Sequence, residues 1–61
     1  MIDNLRRREP EDKSKINVHE DWELEYWARR FGVTKERIKD AVRQVGVQTK
    51  DVAEFLGQRW P

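Results

Sequence analysis

The chain has no cysteine, so it can hold neither a disulfide framework nor a thiolate metal site, and it suits a reducing compartment. It has a single histidine, His19, so no second imidazole completes a metal set or a nucleophile–base pair. No run approaches the roughly 20 apolar residues that cross a bilayer. The charged start also lacks the apolar centre of a signal peptide. A soluble, cytoplasmic protein with no membrane partner is expected. An excess of one charge is missing too, because 13 Lys and Arg stand against 12 Asp and Glu for a net charge of +1. Net charge therefore argues neither for nor against an anionic partner.

What is present is one small domain's worth of chain. A protein of 61 residues buries only about 60% of the surface its unfolded chain exposes, so each large apolar side chain matters. Charge is unevenly spread along it. Residues 16–28 carry Glu20, Asp21, Glu23 and Glu25 with no base, whereas residues 29–43 carry six bases against Glu36 and Asp40. A polarised binding surface and simple intramolecular charge balance both fit this pattern.

Residues 1–15 mix both signs around Pro10, with Ile2 and Leu5 as the sizeable aliphatic side chains. Such a segment cannot offset its ordering entropy by burial and reads as a disordered tail. Arg6, Arg7 and Arg8 within it are either a basic arm for phosphates or part of a solvated tail with acids close behind. Ile16, Asn17 and Val18 then form a short apolar–polar–apolar alternation, read as a strap laid on the body.

Three helices follow, expected at about residues 20–31, 35–45 and 49–56, with a C-terminal tail at 58–61. Leu24, Trp27, Ala28 and Phe31 fall at i, i+3, i+4 and i+7, which is an inward stripe, and Gly32 stands where a left-handed cap is expected. Thr34 is placed to cap the second helix, with Val33 and Ile38 as its hydrophobic staple. Ile38, Ala41, Val42 and Val45 repeat the inward spacing up to Gly46. Val52 and Leu56 face inward in the third helix, with Phe55 at its edge and Gly57 at its end. Trp60 is expected to fold back on the body. The fold class is all-α, a compact three-helix body preceded by a disordered N-terminal tail. Its corner at Ala28, Gly32, Val33 and Ile38 has helix-turn-helix-like spacing.

Two functional surfaces are legible. Trp22 and Tyr26 are i, i+4 partners on a flanking face, where they either cover Ile16 and Val18 or the third helix or, with Glu23, bind a protein partner or a second copy. The other surface is the basic corner, where Arg29, Arg30 and Thr34 are available to phosphates and Lys35, Lys39 and Arg43 face outward from the second helix. Glu36 and Asp40 share that outward face and oppose a polyanion. A helical corner of this kind specifies geometry rather than nucleic acid. No catalytic, metal or cofactor set is found, and a body this small offers little room for a small-molecule substrate. The chain reads as a non-catalytic protein-interaction module, with a nucleic-acid-binding accessory protein as the alternative.

At the same residues the chain resembles a known family. The box Ile16-Asn17-Val18-His19-Glu20-Asp21-Trp22-Glu23-Leu24-Glu25-Tyr26-Trp27, continued by Phe31-Gly32-Val33-Thr34, Ala41-Val42, Val45-Gly46 and residues 52–57, looks like a family of small bacterial proteins classified only as a domain of unknown function. The resemblance spans about residues 13 to 57. It implies a bacterial, stand-alone helical protein, and it brings no activity, cofactor or catalytic residue. Phe55 departs from the pattern, which more usually has a polar residue there.

Overall fold

The inward stripe of the first helix decides where the core lies. The computed structural model describes residues 9–60, which form α1 (Asp21–Phe31), α2 (Lys35–Val45) and α3 (Thr49–Leu56) in chain order. No strand occurs among the described residues, although Lys15 and Gln48 form an isolated antiparallel bridge. Leu24, Trp27, Ala28 and Phe31 of α1 are all buried, together with Ile16 of the strap, Ile38 and Ala41 of α2, and Val52 and Ala53 of α3. Trp27 is fully buried at the centre of this cluster. Its ring lies edge-on to Tyr26 at 4.9 Å, near-parallel to Phe31 at 5.7 Å and edge-on to Trp60 at 5.3 Å. Trp60 thus closes the open side of α1, and the Arg30 guanidinium covers the Trp60 ring at 5.0 Å.

Local chemistry sets the corners. Gly32 sits at φ 67°, ψ 35°, a left-handed conformation that a side chain would strain. The N–H groups of Gly32 and Val33 donate to the carbonyls of Arg29 and Ala28 respectively, which satisfies carbonyls that α1 leaves without a partner. Two residues later the Thr34 hydroxyl accepts from the Arg37 N–H at 3.1 Å, capping α2. Val33 is half-buried beside the fully buried Ile38, the staple that sets how the chain enters α2.

The expected tail ends earlier than its composition suggested. Residues 1–8, including Arg6, Arg7 and Arg8, lie outside the described residues, but residues 9–15 are tied to the body. The Thr49 N–H donates to the Ser14 carbonyl at 2.9 Å and the Ile16 N–H to the Val47 carbonyl at 2.9 Å. The Thr49 hydroxyl donates to the Lys13 carbonyl at 2.8 Å. Backbone groups make most of this attachment, so it needs few apolar side chains, and Pro10 and Ile16 supply the buried ones. The strap therefore begins before Ile16, as a short two-way clamp against the α2–α3 connection.

Two inward assignments shift as well. Val45 remains 38% exposed at the end of α2, because the chain turns at Gly46 before another element covers it. In α3 the buried face is Thr49, Val52 and Ala53, with Leu56 half-buried and Phe55 outside. The Arg37 guanidinium lies over the Phe55 ring at 5.4 Å, so this exposed aromatic still has a partner on α2.

Candidate functional site

The strap and the first turn of α1 enclose a groove of about 820 Å³. Glu9, Pro10, Glu11, Asp12 and Lys15 line it from the strap, Asn17, Val18, His19 and Glu20 from the approach to α1, and Trp22 and Glu23 from the helix itself. Ile16 and Val47 complete the lining. Five carboxylates face one ammonium group here, which makes the groove strongly negative. Local turns hold its shape: the Ser14 N–H and hydroxyl both donate to Asp12 Oδ1, and the His19 N–H donates to Asn17 Oδ1 at 2.9 Å.

Some of these carboxylates are already engaged. The Ser14 hydroxyl, then the Ser14 N–H, and to a smaller extent the charge of Lys15 hold the Asp12 carboxyl below the usual carboxylate value, against a small opposing effect of burial. Glu9 pairs with Lys13 at 2.6 Å and, by hydrogen bond and charge, holds that ammonium above the usual amine value.

Glu23 differs from the others. It is only 8% exposed, and among the described residues no hydrogen bond or ion pair reaches its carboxylate. The one fully buried side-chain polar atom without a partner among the described residues is Trp27 Nε1, so the Glu23 oxygens keep contact with the groove. A cation entering the groove would meet this carboxylate without displacing a partner among the described residues.

The expected partner-binding residues are only partly brought together. Trp22, half-buried, and Glu23 both line the groove, whereas Tyr26 packs edge-on against Trp27 and does not. Sequence reasoning missed the strap's contribution from Glu9, Glu11 and Asp12. The Asp12-Lys13-Ser14 sequence, a turn in which Asp accepts from the residue two places on, was the available signal.

The basic corner has a different character. Arg29 pairs with Glu25 at 3.4 Å, Lys35 with Asp21 at 3.1 Å, Lys39 with Glu36 at 3.9 Å and Arg43 with Asp40 at 3.8 Å. Arg30 is over Trp60, and the Thr34 hydroxyl is used by the Arg37 N–H. All six residues read as phosphate or base contacts thus already have an intramolecular partner.

The chain matches, over residues 4–57, the family model described as protein of unknown function, DUF3606. It belongs to that family. No curated protein and no solved structure matches it. For this DUF3606 member, among the described residues, no three His, Asp or Glu side chains converge as metal ligands, even in the acidic groove. The His19 imidazole makes no hydrogen bond among the described residues, and no described helix is long and apolar enough to cross a membrane.

Proposed function

We propose that this protein is a non-catalytic interaction module whose acidic groove, lined by Trp22 and Glu23, receives a basic segment of a protein partner. The observation that carries this reading is Glu23, a residue 8% exposed whose carboxylate opens on the groove without a hydrogen bond or ion pair among the described residues. An arginine side chain suits Glu23, since its guanidinium pairs with a carboxylate.

The nucleic-acid alternative rests on the helix-turn-helix-like corner between α1 and α2. Its cations are exposed, and exposed ion pairs are individually weak, so they could be exchanged for phosphate contacts. The acids left behind, Glu25, Asp21, Glu36 and Asp40, would then face the polyanion, which opposes the exchange. The groove has no such internal opposition beyond Lys15.

Anisotropy of a labelled oligo-arginine peptide titrated with the full chain tests the proposal. Glu23→Gln, nearly isosteric, is expected to weaken binding about ten- to hundredfold, the effect of losing a charge-assisted hydrogen bond of about 1.5–3 kcal/mol, with the far-UV circular dichroism unchanged. Equal affinity for the two proteins would overturn the proposal.

A further inference from the structure

We infer that Thr49, which lies outside the acidic groove, positions the strap wall of that groove, so that affinity for a basic segment is set from the first turn of α3. The inference rests on the groove being the binding surface proposed above. Thr49 is fully buried and takes no part in the groove lining. It nevertheless makes two of the three hydrogen bonds that join residues 13–16 to residues 47–49 among the described residues. Its hydroxyl donates to the Lys13 carbonyl and its N–H to the Ser14 carbonyl, while the third bond runs from the Ile16 N–H to the Val47 carbonyl.

The first turn of α3 is organised around this attachment. A helix leaves its first backbone N–H groups without intrahelical partners, and a side chain at the N-cap commonly answers one of them. Gln48, at that position, makes no side-chain capping bond. The Ser14 carbonyl accepts from the Thr49 N–H instead, and the Thr49 hydroxyl, a group able to bond within its own helix end, reaches Lys13. The strap therefore completes α3 while α3 holds the strap.

The two anchored carbonyls belong to the wall itself. Asp12 and Lys15, on either side of Lys13 and Ser14, both line the groove, and Trp22 and Glu23 line it from α1. Bonds within the strap, from Ser14 to Asp12 and from Lys13 to Glu9, fix its shape but not its place against α1. Thr49 supplies that placement. A segment that meets strap acids and Glu23 together needs the strap seated. If loss of the hydroxyl leaves it seated between about a tenth and a third of the time, the apparent affinity falls about three- to tenfold. Linkage is reciprocal, so a bound segment holds the strap down in turn.

Anisotropy of a labelled oligo-arginine peptide, titrated with the full chain and with its Thr49→Val and Thr49→Ser variants, tests the inference. Valine keeps the branched shape without the hydroxyl, and serine keeps the hydroxyl without the methyl group. A hydrogen-bonding role and a packing role therefore order the variants differently. Thr49→Val should bind about three- to tenfold more weakly with its helical circular dichroism intact, and Thr49→Ser should stay within about twofold of the wild type. In the wild type, saturating peptide should slow amide exchange at Ile16 and Thr49, a readout that requires no variant to fold. Equal affinity of all three proteins, or serine as weak as valine, would overturn the inference and leave the groove as a binding site. Exchange at Ile16 and Thr49 unchanged by bound peptide would do the same. Absence of peptide binding by the wild type would instead remove the groove reading, and this inference with it.

Discussion

Thr49→Val isolates the clamp that holds the strap, and with it one side of the groove. Thr49 is fully buried. Its hydroxyl donates to the Lys13 carbonyl at 2.8 Å, and its N–H donates to the Ser14 carbonyl at 2.9 Å. Valine keeps the branched shape and the backbone bond but places a methyl group against the Lys13 carbonyl. The loss is one net hydrogen bond of about 0.5–1.5 kcal/mol, plus part of the cost of leaving a partly buried carbonyl without a donor, so the expected destabilisation is about 1–2 kcal/mol. In a domain of this size each kcal/mol moves the melting temperature by roughly 4–8 °C, which predicts a fall of about 5–15 °C by far-UV circular dichroism. Urea unfolding should show a lower midpoint with an unchanged slope. Amide exchange should quicken at Ile16, the neighbouring rung of the clamp. A variant as stable as the wild type, with Ile16 equally protected, would refute the idea that this side-chain bond fastens the strap.

Three further outcomes are expected. Thr34→Ala removes the acceptor for the Arg37 N–H and should cost about 1 kcal/mol, read from urea unfolding. Ile38→Ala, at a fully buried site, should cost about 2–5 kcal/mol, more than Trp27→Phe, which also discards an indole N–H buried without a partner and so relieves part of its own cavity cost; paired urea titrations rank the two. For Asp12, the Ser14 hydrogen bonds place the folded carboxyl below its usual value, so the stabilisation is fully present above the unfolded value and is lost as pH falls through the lowered one. The Ser14 amide shift should titrate at that lowered pH, and Asp12→Asn should abolish the response.

The helical part of this architecture is legible because its determinants are local. The stripe Leu24, Trp27, Ala28 and Phe31, the Gly32 cap and the Thr34 cap each depend on residues within about two turns. The strap is not local, because Thr49 reaches back 36 positions to Lys13, and backbone bonds of that kind leave no apolar periodicity to read. The same reasoning explains Glu23. In the sequence it is one of several acids favouring the N-terminal end of a helix, and only the returning strap turns it into a recessed, unpaired carboxylate. On the basic corner, the pairs Glu36–Lys39 and Asp40–Arg43 follow from helical spacing, whereas Asp21–Lys35, 14 positions apart, needs the fold. Position along the chain therefore revealed Trp22, Tyr26 and Glu23 as one helix face but not that Tyr26 points to the Trp27 ring while its neighbours line a groove.

The central claim is that the acidic groove, and not the basic corner, is the surface that meets a partner. Parallel NMR titrations of the full chain with an oligo-arginine peptide and with duplex DNA at low salt test it most directly. The account predicts that the peptide moves the Trp22 indole and the amides of Glu20 and Glu23, while DNA leaves Arg29, Lys35, Lys39 and Arg43 in place. Salt-sensitive shifts of those four residues on adding DNA, with the groove silent to the peptide, would contradict it.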